Sequence, residues 1–427
     1  MVICLVALIV FAVCVVLFIW DKFPLASVAI LGCTALVLFK VCTVQEAFSG
    51  FTSDIVFIVF GTEIFGMAFQ ESGLNALTVK LIQKYATGKT ATAITRKILI
   101  VGGIIAAVLS AFLNNQVVCS LMMVICINIA TQMKEVHVKH ITLPIIYLAI
   151  LGGQCTLIGA PATLAASSVL EKTTGNKMLF FDLLPMGTII FVIGTLYICT
   201  LGCRKGTKMW QKVTTTDQIM LYDNESLQTV DRKKCIVTAV AGGLMLVLFI
   251  TETFSVGTVS LIGALICIFG GVVKQKQSFA KLDWNILIWL GCSIGMANVL
   301  NESGVIQSCC TALQNALSYM PSPYVVLAGL VVITTIISNF VANTTTVIMV
   351  LPFALQFAEQ FGWNVTPFVI GITMAAGLSV LTPLSCGFIG MTVRVGYQFS
   401  DYVKYGLGFQ LLLTASVIVL TFLMYQF

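Results

Sequence analysis

The chain has 427 residues, 59% of them hydrophobic and 9% charged, with a net charge of +6 and a mean hydropathy of +1.03. So little charge excludes a water-soluble globular fold, and apolar runs of about 20 residues, the length that crosses a bilayer core, recur throughout. The chain reads as an all-α polytopic membrane protein.

Met1–Trp20 has no basic leader or small-residue cleavage site and is read as a span rather than a cleaved signal peptide. Further spans are predicted at about 24–42, 54–70, 142–168 and 179–202. A longer stretch at about 97–131 is interrupted by Asn114–Asn115–Gln116, and Lys80–Lys97 is periodic enough for an interfacial amphipathic helix. After a polar segment the series restarts, with spans at about 233–251, 255–272, 285–301, 367–392 and 406–426 and a second interrupted stretch at about 325–356.

The halves are related by sequence. At a shift of 231, Cys4 meets Cys235, Asp21 meets Glu252, Gly32 meets Gly263 and Glu71–Ser72–Gly73 meets Glu302–Ser303–Gly304. The shift is 228 in the interrupted stretches and 219 where Asp182 and Gly187 match Asp401 and Gly406. This predicts two repeats, 1–202 and 233–427, joined by a cytoplasmic linker at 203–232. If each interrupted stretch is a re-entrant hairpin, the repeats have five spans each and are inverted. Twenty Lys and Arg then fall on one face against Lys40, Lys172 and Lys177 on the other. That asymmetry follows the positive-inside rule and is not a nucleic-acid signature. It predicts that both termini are extracytoplasmic.

The interruptions carry the functional signal. SAFLNNQ at 110–116 is echoed by SNFVANT at 338–344. Lipid offers amides and hydroxyls no partner, so such groups must face protein, water or a ligand. Two further breaks lie at Gly152–Thr163 and Gly377–Ser385, where Pro161 and Pro383 each remove a backbone donor. Inverted repeats with broken helices are the construction of secondary transporters, whose substrate and ion sites lie near mid-membrane. Open helix N-termini favour anions and open C-termini favour cations.

Several segments resemble the divalent anion–sodium symporters (sodium/dicarboxylate, citrate and sulfate carriers) of the ion transporter superfamily. They are SAFLNNQVV, SNFVANTTTVIMVLP, LGGQCTLIGAPATLAASSVLE, LTPLS, FSGFTSDIVFIVFG and YQFSDYVKYGLGFQLLL. The resemblance implies sodium-coupled uptake of a small anion by a homodimer in the plasma (inner) membrane. It implies one sodium site at Ser110, Asn114, Asn115 and Gly159 and a second at Ser338, Ala342, Asn343 and Leu381. Substrate oxygens would meet Asn115, Gln116, Asn343, Thr344, Thr382 and Pro383. Many family members have an extra leading helix or a large insertion between the halves, and neither is expected here. The sequence departs from the family's Ser-Asn-Thr tips, with Asn114–Asn115–Gln116 at the first and Ala342 opening the second.

Glu63, inside the third span, is either a proton carrier or a hydrogen-bonded tie to a neighbouring span. Asp182 and Asp401 read as helix-start acids, and His137 and His140 have no partners at metal-ligand spacing. The fifteen Cys read as small apolar fillers. With no phosphate-binding Gly-rich loop, no enzymatic or ATP-driven activity is expected. The alternatives to sodium symport are a proton-coupled carrier or antiporter of the same superfamily and, from another class, a non-coupled channel or membrane sensor.

Overall fold

The computed structural model describes residues 2–20, 23–88, 90–133, 135–210, 231–251, 253–303, 322–382, 389, 392 and 395–426. The protein is an all-α polytopic membrane protein. Its long helices in the first half are α1 (Val2–Trp20), α2 (Leu25–Leu38), α3 (Asp54–Glu71), α4 (Leu74–Tyr85), α5 (Ala91–Phe112), α6 (Asn115–Gln132), α7 (Val138–Gly153), α8 (Pro161–Thr174) and α9 (Leu184–Met209). The second half has α10 (Arg232–Thr251), α11 (Val256–Phe269), α12 (Trp284–Glu302), α13 (Pro323–Ser338), α14 (Asn343–Gln360), α15 (Thr366–Gly377) and α16 (Phe399–Met424). Among the described residues, α5, α6, α9 and α16 are long and apolar enough to cross a membrane.

The outer helices turn apolar side chains outward. On α1, Leu5, Ile9, Val13 and Val16 are all exposed, while Ala7, Val10 and Cys14 are buried. That is one helical face against the other, with the apolar exposed stripe suited to lipid. Lipid removes most of the hydrophobic drive for helix association, so small residues and close packing must hold the bundle. Gly103 of α5 receives the Leu148 side chain, and Gly152 of α7 lies against the Ala107 backbone. A Cβ at either glycine would collide with its neighbour.

Helices α7 and α15 form the centre: all residues from Ile141 to Gly153 and from Pro367 to Gly377 are buried. Near the start of α7, the Tyr397 hydroxyl stands in the helical ladder. It accepts from the Leu143 N–H (3.1 Å) and donates to the Lys139 carbonyl (2.6 Å).

Packing partners occur in pairs related by the sequence shift. Helix α3 packs on α11 as α12 packs on α2, α1 on α2 as α10 on α11, α5 on α7 as α13 on α15, and α6 on α7 as α14 on α15. Individual bonds obey the same relation. Asn285 Oδ1 accepts from the Ala26 N–H at the start of α2 (3.1 Å), and Asp54 Oδ2 accepts from the Gly257 N–H at the start of α11 (3.0 Å). Both members of the second bond lie 231 positions from those of the first.

Two local expectations are revised or filled in. The Lys80–Lys97 stretch is not one helix: α4 ends at Tyr85, and α5 begins at Ala91 with Thr90 as its N-cap, accepting from the Ala93 N–H (3.2 Å). The acids Asp182 and Asp401 do serve helix starts, accepting from the N–H groups of Leu179 (2.7 Å) and Gln398 (3.0 Å). The second half of the predicted span at 367–392 falls mostly outside the described residues.

Candidate functional site

The first interruption is a short break at Leu113–Asn114 between α5 and α6. Asn114 is the N-cap of α6, its Oδ1 accepting from the Gln116 N–H (3.0 Å). Ser110 Oγ, in the last turn of α5, donates to Asn115 Oδ1. The Asn115 N–H donates to the Gly159 carbonyl (3.1 Å), which lies in the non-helical segment 154–160 between α7 and α8. Gly159 is confined between Gly153 and the Ser110 carbonyl, and Gly153 abuts the Asn115 side chain; neither position has room for a Cβ. Ser110, Asn114, Asn115 and Gly159 are therefore neighbours, and Ser110, Asn114 and Asn115 are buried.

The second interruption spans 339–342 between α13 and α14. Ser338 Oγ donates to Asn343 Oδ1 (2.8 Å), repeating the Ser110–Asn115 bond, and it also lies 2.6 Å from the Ala376 carbonyl. Ser379 Oγ donates to the same Asn343 oxygen (2.8 Å), and the Leu381 N–H donates to Asn339 Oδ1 (2.8 Å). Ala342 caps α14 without a side-chain bond, and Thr344 is buried one residue after Asn343. Pro383 lies outside the described residues.

Two threonines match across the halves. Thr156 donates its hydroxyl to the Ala111 carbonyl, and Thr382 donates to the Asn339 carbonyl. Ala111 and Asn339 are 228 positions apart, so each interruption has a backbone carbonyl capped by a threonine from a non-helical segment. Such caps matter because an open backbone carbonyl is costly wherever water is absent.

Thr156, Asn339, Ser379, Gln410 and Tyr147 had not been singled out as site residues. Gln410 Oε1 accepts from the Val380 N–H (2.9 Å), and Tyr147 OH donates to the Val380 carbonyl (2.7 Å). Gln154, also absent from the expected set, reaches from the first half to the second: its Nε2 lies 3.5 Å from the Gly377 carbonyl, and its buried Oε1 has no hydrogen-bond partner among the described residues. The only advance signals were the 228-residue shift, which pairs Ala111 with Asn339, and the similarity of the segment containing Gln410.

Gln116 bridges the first tip to a neighbouring element. Its Nε2 donates to Asp283 Oδ2 (3.3 Å), just before α12, and the Asp283 N–H donates to Glu63 Oε2 (3.2 Å). Glu63 is 6% exposed and ties α3 to the start of α12. His137 is the N-cap of α7, accepting from the Lys139 N–H (3.2 Å). No group of three or more His, Cys, Asp or Glu side chains could hold a metal among the described residues.

The donor set at each interruption is all oxygen: hydroxyl, amide and backbone carbonyl. Hard cations take such ligands, and at Gly159 and Gly153 the absence of Cβ keeps the backbone within reach. These residues fit a sodium ion. A cavity of about 780 Å³ lies beside Leu157 and is lined also by Thr52, Asp54, Ser168, Lys172, Phe249 and Asn298.

A many-helix bundle with two polar helix breaks is a construction used by secondary transporters. The comparisons agree: a family model described as "Citrate transporter" (CitMHS) matches residues 15–377. The chain belongs to the CitMHS family. That family's description is of a transporter, and the Synechocystis relative is likewise named as one.

An uncharacterized transporter of Haemophilus influenzae is 24% identical over 395 residues, covering 88% of this chain and 82% of that protein. The sodium-dependent dicarboxylate transporter SdcS of Staphylococcus aureus is 22% identical over 399 residues, covering 85% and 75%. An uncharacterized transporter of Synechocystis sp. is 29% identical over 192 residues, 45% of this chain. The chain spans less than two thirds of the length of some relatives, 30% for the Synechocystis protein and 63% for one from Methanocaldococcus jannaschii. Among solved structures, the Alcanivorax borkumensis YdaH transporter shares the fold, with a TM-score of 0.61 over 90% of this chain and 87% of that one at 13% identity.

Proposed function

We propose that the protein is a secondary active transporter that couples sodium entry to symport of a small anion, a di- or tricarboxylate or sulfate, by alternating access. The observation that carries this reading is the matched pair of interruptions. Each has a serine hydroxyl on an asparagine Oδ1, at 110/115 and 338/343, and a threonine hydroxyl on the tip carbonyl. Two oxygen-lined breaks of the same design are suited to two ions flanking one substrate. The sodium-dependent dicarboxylate transporter relative is in keeping with sodium as the coupling ion.

In this reading the two repeats, 1–202 and 233–427, are inverted. Each has five spans and a re-entrant hairpin, and the 203–232 linker is cytoplasmic. The reciprocal packing and the 231-residue relation of the Asn285–Ala26 and Asp54–Gly257 bonds support it. So does the cavity, which gathers Asp54, Lys172, Lys177 and Ser255, all expected on the extracytoplasmic face.

Ser110, Asn114, Asn115 and Gly159 would hold one sodium, and Ser338, Ala342, Asn343 and Leu381 the other. Asn115, Gln116, Asn343, Thr344, Thr382 and Pro383 would meet the anion. Sodium supplies positive charge that the site's own residues lack, and each net charge moved inward gains about 2.3 kcal/mol per 100 mV. The carrier would be a homodimer in the plasma membrane with both termini outside.

Uptake of radiolabelled succinate, citrate and sulfate into proteoliposomes tests the reading, because an inward sodium gradient must stimulate at least one. Buried Glu63 beside Asp283 favours a second reading, proton coupling. In that case a proton gradient drives uptake without sodium.

A further inference from the structure

We propose that Asp283 is a positioning residue that holds the first tip closed toward the cytoplasm. The inference rests on the alternating-access reading: a carrier needs contacts that seal one face and are absent from the face that is open. Helix α6 lies against α3 and α4. At its first turn, Gln116 crosses to the segment before α12 and donates to the Asp283 carboxylate (3.3 Å), while Asp283 is itself fixed through its N–H to Glu63 (3.2 Å). A bond from an amide to a carboxylate is charge-assisted and stronger than one between neutral groups. The chain Gln116–Asp283–Glu63 thus joins the tip to two helices of the surrounding bundle, α3 and α12.

The matching positions in the repeat carry no carboxylate. At the 231-residue shift Asp283 corresponds to Thr52, and Glu63 to Ile294. Thr52 lines the cavity of about 780 Å³. A carboxylate thus grips the tip on one face, and at the matching place on the other face Thr52, its hydroxyl donating to the Ser49 carbonyl (2.8 Å), lines that cavity. Opening the cytoplasmic side would separate Gln116 from Asp283 and turn two carboxylates toward the vestibule. Their charge would then oppose return of a released anion from the cytoplasm.

Cys119 reports on the closure. It lies one turn after Gln116 on α6 and is 1% exposed, whereas Cys33, on α2 against Cys292 of α12, is 0% exposed. The test is the rate of N-ethylmaleimide labelling of Cys119 in the purified full-length protein without sodium or anion, with sites identified by peptide mass spectrometry. Asp283→Ala and Gln116→Ala should each raise the rate by about tenfold or more, the loss of one hydrogen bond to a charged group. The double variant should be no faster than either single one, because both remove the same contact. Asp283→Asn keeps an acceptor oxygen of about half the strength, so its rate should fall between those of wild type and Asp283→Ala.

Unchanged Cys119 labelling in Asp283→Ala and Gln116→Ala overturns the proposal. So does labelling of Cys33 in step with Cys119, which marks general loosening. Because no uptake is measured, failure of sodium-driven transport would strike the proposed function and leave this result to stand or fall alone.

Discussion

Gly153→Ala gives the most discriminating perturbation of the first tip. A Cβ built on Gly153 falls 2.7 Å from Asn115 Cγ and 2.8 Å from its Nδ2. Asn115 Oδ1 is nearer still, and ordinary contact is about 3.5 Å, so the Asn115 side chain must retreat by more than about 1 Å or rotate. Asn115 is held on its other side by the Ser110 hydroxyl and by its own N–H to Gly159. The retreat therefore breaks or stretches the Ser110 bond, at about 1 kcal/mol, and adds about 1–3 kcal/mol of overpacking.

If about 1.4 kcal/mol of that total falls on ion binding, the sodium concentration for half-maximal uptake rises about tenfold. Gly329→Ala is the control, since a Cβ there meets nothing within 4 Å. The assay is sodium-dependent uptake, together with sodium-dependent thermal stabilisation of the purified protein. If Gly153→Ala matches Gly329→Ala in both, the placement of a sodium site at Asn115 is refuted.

Asn343→Ala leaves two donors, Ser338 and Ser379, without their shared acceptor. It should abolish uptake while the protein still inserts and elutes as a single species; wild-type uptake would remove Asn343 from the site. Gln410→Leu deprives the buried Val380 N–H of its partner and should cost about 1–3 kcal/mol in unfolding experiments, against near-neutral effects at lipid-facing positions such as Leu411. Asn285→Ala removes a bond to the start of α2 and should destabilise the protein by about 1 kcal/mol, while Asp54→Ala removes the matching bond and that from the Ser255 hydroxyl (2.7 Å) and should cost more, about 2 kcal/mol; no loss in either variant would argue against these bonds holding the helix starts. Glu63→Gln retains an oxygen for the Asp283 N–H, so under sodium coupling uptake between pH 6 and 8 should respond to pH as the wild type does. A flattened pH profile would favour proton coupling.

The helices and both interruptions were readable from the sequence because lipid forces long apolar runs and makes every buried amide conspicuous. Ser110–Gln116 and Ser338–Thr346 were recognisable as a pair for that reason. Their partners were harder to read. Thr156 caps Ala111 across 45 positions and Gln410 binds Val380 across 30, and a hydroxyl or amide inside a span does not reveal its target. The acceptor of Gln116 was unreadable as well: Asp283 sits at a helix start, where an acid has an ordinary explanation. The Lys80–Lys97 stretch was overextended because its charge period continues past Tyr85, while Gly88 and the Thr90 cap begin a new helix.

The central claim is that two oxygen-lined helix breaks bind sodium together with a small anion. Its most direct test is uptake of radiolabelled citrate, succinate and sulfate by proteoliposomes with and without an inward sodium gradient, potassium replacing sodium in the control. The account predicts saturable uptake of at least one anion that requires sodium and is lost in Asn343→Ala. Uptake equal in potassium and sodium, or none for any of the three anions, would contradict it.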